Sequence, residues 1–530
     1  MPELDVTPLD IGILLTYVLG TRVVLGWYFA RKAKHGGAEG YFLAGRSMRW
    51  PIIGLSFYVA NMSGSTFVAL PGSGYHDGIA VYNYEWIPAV VLVIFAIFVL
   101  PFFLKAQVYT APQFLERRYG RAPRLAFSGF LLLANIFIDA AAALYAGAMV
   151  AQVLFPGIPL WTIIATTAVV AGVYIFFGGL GAVVINDAIQ AALIIFGGGL
   201  IAVLTFQEVG SWAAVREAAP AGGLHLIRPA DDATMPWPGL VTGVLVIGFY
   251  FWCSNQFVIQ RALGAKSLDH GRWGSLFAGL LKLPNLFLLI LPGVMATALY
   301  PDLDNPDKVF PLLAFDLLPV GLRGLILAAL AAAIFSSLEA ILNSASTLFT
   351  MDFVRTLRPG VRDRTLVWTG RGATLGFMVL AAVWAPQITR FPTLWQYLQS
   401  VLAYVTPSVV VVFLGGIFWA RGTRQGAMAA LGLGIPLGVA AWVLNEVMAV
   451  WDIQYLYASG IMLGLAAILF VAVSLATPRP DPEQARDATW RPALWREEGQ
   501  ELAGKPWYAN YRLQSAGLLA ITALIVVWWW

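Results

Sequence analysis

Residues Val59 to Phe67 read VANMSGSTF and sit inside an apolar stretch long enough to cross a bilayer. Asn61, Ser63, Gly64, Ser65 and Thr66 fill its middle, where a membrane helix usually carries aliphatic side chains. Glycine weakens a helix interior by about 1 kcal/mol relative to alanine. The neighbouring amide and hydroxyls can satisfy backbone groups that an interruption sets free. A single serine or glycine here would read as helix packing, because small and hydroxyl residues are common at membrane helix contacts. Five such residues together predict a broken helix that lines a cavity.

The rest of the chain supplies the membrane context. Hydrophobic residues make up 59% of it and charged residues 12%, whereas soluble domains hold about 45–50% and about 25%. Barrel strands would alternate over about 10 residues; these apolar runs reach about 20 or more, so the spans are helices. About fourteen are expected, near 8–30, 50–72, 82–105, 124–153, 158–178, 184–206, 238–260, 273–300, 318–352, 366–388, 393–419, 425–447, 455–476 and 512–530. Numbered in that order, they place the first span and a loop in 1–48, a transport core in 49–447 and two further spans in 448–530. The loop 477–511 separates those last two spans, and no connection is long enough for a separate soluble domain. Cys253 is the only cysteine, so no disulfide framework exists. His35, His76, His225 and His270 fall in polar connections without metal-ligand spacing, which argues against a transition-metal site. The acidic start MPELDVTPLD lacks the features of a signal peptide, so the first apolar run is expected to be retained.

Charge gives an orientation. With the N-terminus outside, the inward loops hold most basic residues, among them Arg46, Arg49, Arg117, Arg118, Arg261, Arg421 and Arg424. The outward side holds only Arg216, Arg228, Lys308, Arg323 and Arg390. That bias predicts both termini on the extracytoplasmic side. Glycine or proline lies at mid-depth in span 2 (Gly64), span 7 (Gly248), span 8 (Pro284) and span 11 (Pro407). Spans 2 and 7 are five apart and therefore oppositely oriented. This predicts two inverted repeats, about 49–206 and 238–447.

Two further polar clusters lie at membrane depth. Span 9 contains AAAIFSSLEAILNSASTLFTMD, in which Ala333, Ser336 and Ser337 share one helix face. Their oxygens, with loose carbonyls from Val59 and Met62, would form a neutral cage suited to a hard monovalent cation. The alternative is that both serines bond back to their own helix. The other cluster is ionisable: Glu85, Asp187, Lys282, Glu339 and Arg22. Such residues cost roughly 2.5–3.5 kcal/mol inside a bilayer and are functional by default. Glu85 is suited to accept hydrogen bonds from vicinal hydroxyls. Lys282 either donates to a solute or neutralises Glu85.

Six stretches together resemble the sodium:solute symporter family. They are FLAGRSMRWPIIGLSFYVANMSG, PGSGYHDGIAVYNYEW, YTAPQFLERRYG, YIFFGGLGAVVINDAIQ, FWCSNQFVIQRALGAKS and LAALAAAIFSSLEAILNSASTLFTMD. The resemblance covers roughly residues 40–420. It implies an all-α membrane fold of about fourteen helices around a LeuT-like five-plus-five inverted repeat. It also implies sodium-driven alternating access. The family's sodium site falls on the carbonyls of Val59, Met62 and Ala333 and the hydroxyls of Ser336 and Ser337, with Asp187 on the ion's exit path. The sugar-transporting branch's substrate residues fall on Asn61, Glu85, Lys282 and Gln399, and its gates on Leu70, Tyr84, Phe251 and Trp395. Three pocket positions depart from that branch. Gly248 stands where it has asparagine, Thr66 where it has glutamine and Pro88 where it has serine.

The sequence therefore predicts a symporter of sodium and a neutral polyhydroxylated solute, a sugar or polyol, in the cell's inner membrane. The alternatives are a monocarboxylate, amino acid or osmolyte anchored on Lys282, and a transporter-like sensor. No nucleophile, histidine and acid come together at membrane depth, so an enzyme is not expected. No nucleic-acid partner is implied.

Overall fold

In lipid every backbone polar group needs a partner within the protein, so the apolar runs fold as helices. The computed structural model describes residues 7–10, 12, 13, 16, 20, 44–62, 64–105, 108–154, 157–177, 180–303, 306–390 and 394–530. Ser63, Arg22 and most of span 1 lie outside the described residues. So does the side chain of Asp187, although its backbone belongs to the helix Leu180–Val209.

Among the described residues, ten helices are long and apolar enough to cross a bilayer, or eleven if a bent pair in span 7 counts as one. This count covers the described residues alone and leaves the expectation of about fourteen spans open. Span 1 is largely undescribed. Span 5 forms the helix Leu160–Phe177, of which Leu160–Gly172 enters this count as a shorter apolar helix. Span 2 is divided into helices of 12 and 14 residues, Trp50–Asn61 and Gly64–Asp77. At 1.5 Å per residue neither half crosses alone.

The first half of span 2 ends at Met62, whose ψ of 65° leaves the helical region. Its N–H closes the last turn on the carbonyl of Tyr58 at 3.1 Å. The Thr66 hydroxyl donates to the carbonyl of Asn61 at 2.7 Å, so a residue of the second half caps the first. Span 7 breaks as well. Leu245–Cys253 gives way to Gln256–Leu263 with a 47° bend. The break lies at Ser254 and Asn255, not at Gly248, which stays inside the first helix. Asn255 caps the second half by accepting from the N–H of Phe257 at 3.3 Å, as asparagine does at helix starts. The Ser254 hydroxyl bonds back to the carbonyl of Tyr250 at 2.7 Å. Pro407, by contrast, does not interrupt Leu394–Phe418.

Span 8 packs along span 2 because glycines let the backbones approach. A Cβ on Gly274 would lie 2.7 Å from Ile53 Cγ2, and one on Gly293 would lie 2.1 Å from the carbonyl oxygen of Pro71. Gly274→Leu is therefore expected to lower the thermal midpoint of the purified protein, since overpacking costs about 1–3 kcal/mol. Gly376→Ala is the control, because nothing lies within 4 Å of a Cβ there. Equal midpoints for both variants would contradict this packing.

After Lys282 span 8 passes through a turn at Leu283–Pro284, where Pro284 supplies no N–H, and continues through a π turn at Leu286–Ile290. The hydroxyl of Tyr82 donates to the carbonyl of Leu283 at 2.8 Å. Asn285 follows this turn, and its amide reaches Glu85 of span 3. Span 4 carries another π turn, Asn135–Ala140, which holds Asp139.

Candidate functional site

The two broken spans face a cavity of about 120 Å³ at the centre of the bundle. Its wall takes Asn61 and Thr66 from span 2, Tyr84, Glu85 and Pro88 from span 3, Asp139 from span 4, Gly248, Tyr250 and Phe251 from span 7, Ser337 from span 9, and Trp395 and Gln399 from span 11. Most residues expected at a solute site are thus together. Two are not on the wall. Leu70 is fully buried elsewhere in the core, and Lys282 stands behind Glu85.

Glu85 is 2% exposed and lies in the first turn of Asn83–Ile94. Its carboxylate is ion-paired with Lys282 and accepts from the amide of Asn285. Lys282 also donates to Oδ1 of Asn61 at the end of the broken helix. Asn285 in turn accepts from the hydroxyl of Tyr58 at 2.8 Å. The resulting chain joins spans 2, 3 and 8, so the carboxylate is neutralised and held in place. Lys282 does what the sequence left open: it pairs with Glu85 and anchors the break.

Around the cavity, Tyr84 and Trp395 meet edge to face with ring centroids 5.2 Å apart, and the Tyr84 hydroxyl is 2.8 Å from that of Tyr455. Phe251 packs against Phe257 across the span 7 break, centroids 5.6 Å apart. Gln399 presents a buried Oε1 without a hydrogen-bond partner. Its place on the wall gives a donor on a bound molecule something to bind.

The expected ion ligands are all buried: Val59, Met62, Ala333, Ser336 and Ser337. Span 9 packs against both halves of span 2. Ser337 is the informative one. Its hydroxyl is buried on the cavity wall and makes no hydrogen bond, so it does not bond back to its own helix. An unsatisfied buried polar group costs about 1–3 kcal/mol. Glu339, two residues on, is buried in the same helix and does not line the cavity.

Two features were not singled out in the sequence. Asp139 was passed over inside NIFIDAAAA, although a lone acid in an apolar run marks such a site. Asn255 was hidden in a polar tripeptide at the end of span 7, where Ser-Asn before a helical run is a capping pattern.

A model of the sodium:solute symporter family matches residues 41–434. The sodium/glucose cotransporter 4 of Danio rerio is 33% identical over 94% of this chain and 83% of its own length. The sodium/myo-inositol cotransporter 2 of Sus scrofa is 33% identical over 92% of this chain and 80% of its own. Among solved structures, a Na+-coupled sialic acid symporter in a substrate-bound outward-open state superposes with a TM-score of 0.76 at 21% identity, covering 90% of this chain and all of that one. Mhp1, a nucleobase-cation-symport-1 family transporter, gives 0.55 at 13% identity over 86% of this chain and 98% of its own. The fold is thereby the LeuT-like inverted repeat.

Proposed function

Because the chain belongs to the sodium:solute symporter family, we propose that it couples sodium entry to uptake of a hydroxyl-rich solute, a sugar or polyol, in the cell's inner membrane. The relatives named for glucose and myo-inositol support the solute class. The observation that carries this reading is the neutralised Glu85 on the cavity wall. A carboxylate already paired with Lys282 accepts hydrogen bonds from hydroxyls without demanding a counter-charge. Gln399 offers a second acceptor nearby. The same pairing disfavours an anionic solute, because Lys282 is engaged by Glu85 and Asn61 and lies off the wall.

Sodium is assigned to the carbonyls of Val59, Met62 and Ala333 with the hydroxyls of Ser336 and Ser337. A neutral cage holds an alkali ion weakly enough to release it in each cycle. Ser337 touches both the cage and the cavity wall, which gives ion and solute a shared element. Asp187 is assigned to the inward exit path. Tyr84, Phe251 and Trp395 serve as gates, and Leu70, buried off the cavity wall, is the fourth residue assigned to that role. The halves 49–206 and 238–447 rock about this centre, with both termini on the extracytoplasmic side. Sodium drives the cycle only through different affinities for the two orientations.

The test is thermal stabilisation of the purified protein by a panel of sugars, polyols, monocarboxylates and amino acids, each with sodium and with potassium. A sugar or polyol is expected to raise the midpoint in sodium alone. Stabilisation by a monocarboxylate, and by none of the polyols, would contradict the solute assignment.

A further inference from the structure

The five-span offset that relates span 2 to span 7 also relates span 9 to span 4. The proposed ion site joins the break of span 2 to span 9, so the repeat has a counterpart position where the break of span 7 meets span 4. Asp139 occupies that position. It lies in the π turn of span 4, and Asn255 is the residue at the span 7 break. Both residues line the central cavity. Among the described residues no lysine or arginine pairs with Asp139, in contrast to Glu85 on the opposite wall.

A second, independent feature points to a ligand. The Tyr250 hydroxyl belongs to a residue only 1% exposed, lines the same cavity, makes no hydrogen bond and lies within electrostatic range of Asp139. The carbonyl of Tyr250 accepts from the N–H groups of Ser254 and Asn255 at 3.0 and 2.9 Å as well as from the Ser254 hydroxyl. A carboxylate and a phenol oxygen share the cavity wall here. Asn255 is a positioning residue: its amide oxygen caps the second half of span 7 on the wall that also carries Asp139.

We propose that Asp139 and Tyr250, oriented by Asn255, form a second sodium site, the inverted-repeat counterpart of the Ser336–Ser337 cage. This rests on the sodium-coupled reading above and sets its stoichiometry at two ions per solute. A carboxylate and a phenol oxygen are hard ligands, which suit an alkali cation. The ion also offsets the carboxylate's unpaired charge within the membrane, where such a charge is costly.

The experiment measures sodium-dependent uptake of myo-inositol and glucose into proteoliposomes, for the wild type and for Asp139→Asn, Asp139→Glu and Tyr250→Phe. A Hill coefficient above 1 requires more than one sodium site, so the wild type is expected near about 2 and Asp139→Asn near about 1. Asp139→Glu should restore the steeper curve. Tyr250→Phe, which keeps the carboxylate, should raise the half-saturating sodium concentration roughly three- to tenfold, as loss of about 1 kcal/mol implies. A wild-type coefficient of one, an unchanged coefficient in Asp139→Asn, or unchanged half-saturation in Tyr250→Phe would overturn the second site. So would uptake through Asp139 that follows a proton gradient in place of sodium. If the wild type shows no sodium stimulation at all, it is the parent reading that fails.

Discussion

Ser337→Ala is expected to abolish sodium-stimulated uptake while the protein still reaches the membrane in normal amount. The hydroxyl is buried on the cavity wall and makes no hydrogen bond within the protein. Removing it takes away no internal partner, so stability should hold or improve. It does take away one oxygen from the proposed sodium cage, which contains no carboxylate. Contacts between a neutral group and an ion contribute about 1.5–3 kcal/mol, which corresponds to a fall of roughly ten- to a hundredfold in sodium affinity. The measurement is initial uptake against sodium concentration, with membrane abundance determined in parallel. Full uptake at ordinary sodium would remove Ser337 from the ion site.

Lys282→Met should have the opposite profile, with a large loss of folded protein. The ion pair it forms with Glu85 is almost completely buried, the side chains being 0% and 3% exposed. Removing one partner of a buried pair leaves the other charge uncompensated, at about 3–5 kcal/mol. Asn61 loses its donor in the same step, so the end of the broken helix loosens as well. Replacing both partners, as Lys282→Met with Glu85→Gln, should recover much of the stability because no lone charge remains. The double variant should still fail to bind the solute, since the carboxylate is the proposed reader of hydroxyls. Thermal midpoints and solute binding of the single and double variants separate the two roles. A single Lys282→Met variant as stable as wild type would contradict the burial argument.

Much of this was legible in the residues. NMSGST announced the break of span 2 because helix-weakening and backbone-satisfying residues were adjacent there. Gly248 marked span 7 at mid-depth but not the place of its break, which lies where the Ser254–Asn255 pair supplies both a back-bond and a cap. Asp139 escaped notice because a π turn aims it into the cavity, and no periodic pattern reports a π turn. The partnership of Glu85 and Lys282 was foreseen as one of two options. Choosing between them required the turn at Leu283–Pro284, after which Asn285 reaches the same carboxylate. Sequence could name these groups, but their orientation depended on helix irregularities set by tertiary packing.

The central claim is that a sodium ion at the junction of spans 2 and 9 and a solute in the adjoining cavity bind cooperatively. Linkage makes that coupling reciprocal: the factor by which sodium raises solute affinity equals the factor by which solute raises sodium affinity. Equilibrium binding to the purified protein, titrating labelled solute at fixed sodium and labelled sodium at fixed solute, measures both factors. Equal factors well above one in the wild type, falling to one in Ser337→Ala, are the expected result. Solute affinity that is the same in sodium and in potassium would contradict it.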